Sequence, residues 1–178
     1  MPKLKFPKEK FRLGSICFVL LCFAAGSTGH AQGLSASANR AAAYSVDNVI
    51  SENTLFRQVS FLSDSICTGR STGSPGAAEA AFWITRQMSV CGLKPLLVPG
   101  SPEPSFGQSF MSEGRVGRNV LGFCGSGRRP SSAKGSYVIV AAHYDNLGTL
   151  DSAMYPGADS NASGVSALLS LAKMCTIT

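Results

Sequence analysis

The chain has 178 residues, of which 44% are hydrophobic and 15% charged, and its formal net charge is +6. This size and composition suit a single globular domain with its own core. Five of the 16 Lys and Arg residues lie within the first 12 positions. Without residues 1–31 the chain has 11 basic and 9 acidic groups, a net charge of about +2. The basic balance is therefore no argument for a nucleic-acid partner, and we predict none.

Residues 1–31 have the parts of a secretory signal peptide. A basic start is followed by an apolar run, residues 16–25, and by small residues at positions 29–31. The run is too short to cross a membrane as a helix. We predict that the leader is cleaved, that no stable membrane span remains, and that the protein is periplasmic or extracellular. An uncleaved anchor is the alternative.

Four cysteines lie beyond the predicted leader: Cys67, Cys91, Cys124 and Cys175. Disulfides are permitted in an exported protein, but the spacing selects none of the three possible pairings. None of the four belongs to a C-x-x-C pair, which argues against a cysteine zinc ribbon.

The chain after the leader begins with a predicted flexible segment, residues 32–44. Residues 46–62 have apolar positions at helical spacing and predict one or two helices. A turn-rich loop over 64–74 follows. The next helix is predicted over 77–90, with Ser74 as its N-cap, Pro75 in the first turn and Gly92 just past its end.

Short strands are predicted over 93–98, 106–111 and 119–123. Residues 137–142 are apolar without alternation, which is typical of a strand covered on both faces. Apolar residues at positions 165, 168, 169 and 172 then predict a helix packed on that strand. The expected fold is α/β, with a mixed, largely parallel sheet flanked by helices.

Candidate metal ligands follow this strand. His143 stands at its carboxyl end, where ligands bind in open α/β sheets. Asp145 is two residues further on and could orient the imidazole, and Asp159 returns across the loop at a helix start. Imidazole and carboxylate groups are the ligands of zinc hydrolases. The same residues also read as an ordinary loop and a helix start.

The segments "VIVAAHYDNLG" and "YPGADSNASGVSALLSLAKM" resemble the zinc-dependent aminopeptidase family of secreted bacterial leucyl aminopeptidases, whose relatives include glutamate carboxypeptidase and glutaminyl cyclases. Four upstream segments are similar in the same order: "LSDSICTGRSTGSPGAAEAAFWI", "CGLKP", "GQSFM" and "GRNVLGF". The resemblance implies that residues 45–178 form the N-terminal part of a zinc-peptidase-like α/β domain acting on peptide or protein substrates. It implies His143 and Asp159 as metal ligands and Asp145 as a supporting residue.

The sequence departs from the family pattern in two ways. Ser160 stands where the aspartate that bridges two zinc ions is usual. The general-base glutamate, further ligands and a second histidine, which the family has downstream, are not among these 178 residues. We expect two zinc ions in a complete member but one or none here, with the sheet incomplete at its C-terminal side. The chain is expected to be truncated and inactive by itself; a natural short variant is the alternative.

Three other functions are considered. A non-catalytic binding or scaffold homologue would keep the fold without the metals, and a glutaminyl-cyclase-like acyltransferase would use the same loop. Gly69 to Gly73 matches the G-x-S-x-G motif of serine hydrolases, with Ser71 as the nucleophile. That motif needs a strand before the serine and a helix directly after it, and neither is predicted here.

Overall fold

The computed structural model describes residues 18–25, 50–96, 102–124 and 136–177. The predicted lead-in, residues 32–44, and most of the predicted leader lie outside this part. The described helices are α1 (Glu52–Ser63), α2 (Pro75–Val90) and α3 (Ser163–Ile177), with a 3₁₀ turn at Ser65–Arg70 and a π-type turn at Ala158–Ala162. The described strands are β1 (Phe18–Ala25), β2 (Gly107–Ser112), β3 (Arg115–Cys124), β4 (Ser136–His143), β5 (Gly148–Leu150) and β6 (Ala153–Tyr155).

Helix α2 confirms its sequence signals. The Ser74 hydroxyl accepts a hydrogen bond from the Ala77 amide, Pro75 is the first helical residue, and Gly92 has a φ of 82° just beyond the end. Such a cap satisfies an amide that has no partner inside the helix. Ala80, Ile84 and Met88 recur every four residues and are all 0% exposed. The helix therefore packs one continuous face, and it packs on β3.

The four-stranded sheet has the order β2-β3-β1-β4. Strand β3 is antiparallel to β2 and parallel to β1, and β1 is antiparallel to β4. The described residues form a mixed α/β fold but do not show the predicted largely parallel sheet, because two of the three neighbouring strand pairs are antiparallel. The β2–β3 pair is antiparallel because a two-residue turn, at Glu113 and Gly114, can only join antiparallel strands.

Strand β1 consists of residues that the sequence assigns to the apolar core of the leader. It lies inside the sheet, with Val19 opposite Val120 of β3 and Phe18 opposite His143 of β4. A short apolar segment can form either a leader core or a buried strand, because both require only continuous hydrophobicity. The leader itself stays a prediction.

Strand β4 confirms the predicted strand over 137–142 but not its expected burial. Val138 and Ile139 are 54% and 59% exposed. Strand β4 is the last strand in the sheet order, and α3 packs against it. The expectation that both faces are covered is therefore wrong for the described residues.

The predicted helix over 46–62 is observed as α1, which begins after the Ser51 cap; residues 46–49 lie outside the described part. Of the strand predicted over 93–98, only isolated bridges at Lys94 and Leu96 are described. The helix predicted around 165–172 is confirmed as α3, whose Val165, Leu168 and Leu169 are nearly fully buried. One cluster of buried residues joins α1, α2, α3 and the sheet into a common core.

A candidate active site at the end of strand β4

His143 is the last residue of β4, and its side chain is 39% exposed. Its Nδ1 lies 3.1 Å from the backbone oxygen of Asp145. A carbonyl oxygen can only accept a hydrogen bond, so Nδ1 is the nitrogen that carries the proton. The lone pair is thereby placed on Nε2, which is the form of imidazole that can bind a metal ion or accept a proton.

The carboxylate of Asp145 is held beside this imidazole. Asp145 is 6% exposed, and its Oδ2 accepts a hydrogen bond of 2.5 Å from the hydroxyl of Thr72. Its Oδ1 lies 3.7 Å from Nδ1 of His143. A carboxylate at that distance restricts the rotation of the ring. The supporting role of Asp145 stays a prediction.

Both residues line a cavity of about 370 Å³. The remaining lining residues come from the loop after the 3₁₀ turn, the β2–β3 hairpin and the loop after β4: Ser71, Thr72, Ser112, Glu113, Arg115, Asn146 and Leu147. Polar and charged groups of both signs thus surround the imidazole, in a space at the lower end of the range of ligand pockets, about 300–1,000 Å³.

Arg70 is fully buried beneath this cavity. Its guanidinium donates hydrogen bonds to four backbone oxygens, those of Leu62, Tyr144, Pro156 and Gly157. Burial lowers the pKa of Arg70 below its ordinary value, and the neighbouring Cys67 and Asp145 act in the opposite direction. Tyr144 lies between the two site residues of the β4 loop, and Gly157 lies just before the turn that carries Asp159. One cation therefore fixes both loops of the candidate site.

The backbone around Arg70 explains why this turn contains glycine. Thr68, Gly69 and Arg70 have φ values of 42°, 69° and 55°. A Cβ on Gly69 would lie 2.5 Å from the backbone oxygen of Gly148. The β5–β6 hairpin can therefore approach this turn only because residue 69 has no side chain.

The turn Ala158–Ala162 carries the second predicted ligand. Asp159 is exposed and is not among the residues that line the cavity with His143. Ser160 is also exposed, and the peptide bond between Ser160 and Asn161 is cis. The amide of Asn161 donates a hydrogen bond of 3.2 Å to the backbone oxygen of His143. The structure thus joins the two loops through Asn161 rather than through the carboxylate of Asp159.

These residues do not make a complete zinc site. A catalytic zinc ion takes three protein ligands and leaves one position open. The part of the chain that the structure describes contains no group of three His, Cys, Asp or Glu side chains able to hold a metal ion. It provides an oriented imidazole, a carboxylate engaged with Thr72, and a second carboxylate on a separate loop.

Ser71 lines the same cavity as His143, but it does not have the setting of a nucleophilic serine. Its hydroxyl oxygen accepts a long hydrogen bond of 3.5 Å from Arg115. Helix α2 begins only at Pro75, after an intervening turn, and a 3₁₀ turn rather than a strand precedes the serine. The sharp strand-to-helix turn that exposes such a serine is therefore not formed.

The β4 region is similar in sequence to a known protein family. Residues 126–177 match the sequence profile of Peptidase family M28. This segment is similar to the M28 peptidases. The match contains His143, Asp145 and Asp159, and it supports a relationship to these metallopeptidases in general. Neither a curated protein nor a solved structure matches the chain at a significant level.

Sequence reasoning missed three residues that shape the site: Arg70, Thr72 and Asn161. Arg70 and Thr72 lie in the turn-rich segment before α2, where a buried cation gives no periodic signal. Asn161 lies just before α3, and its side-chain oxygen accepts a hydrogen bond from the Gly164 amide, as at a helix start. Its second bond, to the backbone of His143, joins positions 18 residues apart and could not be read from the sequence.

Proposed function

We propose that the chain carries part of the active site of an exported zinc aminopeptidase, with His143 as its metal-binding imidazole. The observation that carries this proposal is the oriented ring of His143, whose Nδ1 is bound to the Asp145 backbone within the segment that matches the M28 peptidases. When bound, zinc would polarise a peptide carbonyl and activate water. The substrate would be a peptide or protein with a free N-terminus.

The site residues would have different roles in such an enzyme. His143 would offer Nε2 to the metal, while Asp145 keeps the ring oriented and Thr72 keeps Asp145 in place. Asp159 would be a second ligand only after its turn moves toward the cavity, because its side chain lies outside the lining. Ser160 has no charge with which to bridge two cations.

We infer that the described residues alone do not hydrolyse peptides. They supply fewer than three clustered ligands, and no glutamate beside His143 is available as a general base except Glu113, on the far hairpin of the cavity. A positioned acid–base group contributes about 10²–10⁴-fold to a rate. Aminoacyl p-nitroanilides incubated with the purified chain and Zn²⁺ should therefore stay intact.

The metal role of His143 can be tested without activity. The chain has only two histidines, so in a His30→Asn background the remaining imidazole signals in an NMR spectrum belong to His143. Zn²⁺ should shift these signals, and a chelator should reverse the shift. Binding should be weak because few ligands contribute. A His143→Ala variant, measured by calorimetry, should lose the binding heat.

This titration, together with assays of peptide turnover, separates the other functions. No change of the His143 signals at millimolar Zn²⁺ would favour a non-catalytic binding or scaffold protein. Release of amino acids that resists chelation but stops with a serine-reactive probe would favour Ser71 as a nucleophile. Cyclisation of N-terminal glutamine instead of hydrolysis would favour the acyltransferase. Zinc-dependent release of amino acids by the chain alone would contradict the inferred inactivity.

A further inference from the structure

Two of the four cysteines beyond residue 31 meet at the end of the core opposite the cavity loops. The Sγ of Cys124, the last residue of β3, lies 2.9 Å from the backbone oxygen of Cys175 in the last turn of α3. The thiol of Cys124 donates a hydrogen bond to this oxygen. Cys124 is 9% exposed and Cys175 is half-buried.

This contact places the sulfur of Cys124 within about 6 Å of the Cα of Cys175, because a carbonyl oxygen is about 2.4 Å from its own Cα. In a disulfide the same distance, from one sulfur to the Cα of the partner cysteine, is about 4 Å, because it spans one S–S, one C–S and one C–C bond. Only a rotation of the Cys175 side chain and a small shift of the helix end are then needed to join the two sulfurs.

Of the other two cysteines, Cys67 is held elsewhere and Cys91 contacts α3 further from its end. The thiol of Cys67 donates to the backbone oxygen of Phe61, on the Arg70 side of the molecule. The thiol of Cys91 lies 3.9 Å from the backbone oxygen of Leu169. Leu169 precedes Cys175 by six residues, which is about 9 Å along the axis of an α-helix. Neither Cys67 nor Cys91 is placed like the pair at the end of β3.

We propose that Cys124 and Cys175 form a disulfide that ties the end of β3 to the end of α3. Its formation in the cell rests on the export proposed above, because disulfides persist in oxidising compartments. The pairing itself rests only on the geometry of the two residues.

The reaction is an exchange with an external disulfide, such as oxidised glutathione or a disulfide oxidoreductase. The half-buried Cys175 loses its proton, and its thiolate attacks one external sulfur, forming a mixed disulfide and releasing one external thiolate. Cys124 then loses its proton and displaces the second external thiolate. The two cysteines are oxidised and the external disulfide is reduced to two thiols.

Burial raises the pKa of both thiols above the ordinary value, and a charge on Cys124 would raise that of Cys175 further. Few thiolates are therefore present at neutral pH, and spontaneous exchange in the folded protein is slow. The bond should form fastest during folding, before the thiols are buried.

Peptide mapping tests the pairing directly. Trypsin places each of the four cysteines in a separate peptide, because Lys or Arg residues lie between all of them. The full chain is refolded with oxidised glutathione, alkylated without reduction, digested and analysed by mass spectrometry. We expect the peptide 119–128 to be linked to 174–178, with Cys67 and Cys91 alkylated.

Cys91→Ser serves as the matched control and should leave this linkage unchanged, whereas Cys124→Ser should make Cys175 available to alkylation. Alkylation of both Cys124 and Cys175 in the refolded wild type, or linkage of either to another cysteine, overturns the pairing. Refolding with glutathione does not depend on where the protein is located in the cell. The pairing can therefore be confirmed in the refolded protein even if the protein isolated from cells is fully reduced. That second result would count against export alone.

Discussion

Replacing Arg70 with methionine should destabilise the protein more than any change of an exposed cation. The guanidinium is the partner of four backbone oxygens, and methionine can bond to none of them. The side chain is 0% exposed, so water does not replace the lost donors without opening the structure.

The magnitude follows from these contacts. A hydrogen bond from a charged donor contributes about 1.5–3 kcal/mol. Four such bonds cannot be added, because the buried cation also loses its hydration. Removing one side of a buried charged network costs about 3–5 kcal/mol, and we expect a loss in this range. Domains are stable by only about 5–15 kcal/mol, so this loss is a large share of the total free energy of unfolding.

The assay is equilibrium unfolding in urea, combined with hydrogen exchange of backbone amides. Arg57→Met is the matched control, because Arg57 is exposed on α1 and should change stability by less than about 0.5 kcal/mol. Arg70→Lys should fall between the two, since a single ammonium cannot reach four oxygens. The Asn146 amide, which bonds the Arg70 backbone oxygen, should exchange faster in Arg70→Met. Equal unfolding midpoints for Arg70→Met and Arg57→Met would refute the reasoning.

Three further predictions concern single groups. Gly69→Ala should lower the free energy of unfolding in urea by about 2 kcal/mol or more, because residue 69 has a φ of 69° and the new Cβ would lie 2.5 Å from a backbone oxygen. Gly114→Ala is the control: its φ is 75° but the space around it is open, so the loss should be only about 1 kcal/mol. Burial raises the pKa of the Cys67 thiol from 9.0 to about 11, so the unfolded chain loses this proton first and stability should fall as pH rises from 9 to 11. A pKa shift of this size changes the free energy of unfolding by about 2–3 kcal/mol. Cys67→Ala should remove this part of the pH dependence of stability. An unchanged dependence of stability on pH between 9 and 11 in the variant would contradict the prediction. A disulfide between Cys124 and Cys175 closes a loop of about 50 residues and should raise the free energy of unfolding by up to about 4 kcal/mol. A reductant should therefore lower the urea midpoint of the wild type but not that of Cys124→Ser.

The sequence predicted best those features that repeat along the chain or depend on a local cap. Helix α2 was readable because Ser74, Pro75 and Gly92 act within a few residues of the helix ends. Strand β4 and the position of His143 at its end followed from an uninterrupted apolar run. The closeness of Asp145 to His143 was predictable because only Tyr144 separates the two residues in the sequence.

The predictions that failed concern features that depend on partners far away in the sequence. Strand direction and the exposure of Val138 depend on which strands and helices lie beside β4, and local hydrophobicity does not specify them. The bonds of Arg70 to Tyr144 and Gly157 cross 74 and 87 positions. A buried arginine in a turn-rich segment resembles a solvated one until its partners are known.

Because β1 lies inside the sheet, folding of the chain and export through the predicted leader would compete for the same residues. Removing an edge strand leaves a smaller continuous sheet, but β1 stands between β3 and β4. If residues 1–31 act as the predicted leader, cleavage separates the β2–β3 hairpin from the strand that ends in His143. The same eight residues, Phe18–Ala25, would then have two competing fates. Folding first would hide the leader from the export machinery, and export first would leave β3 and β4 to find a different neighbour.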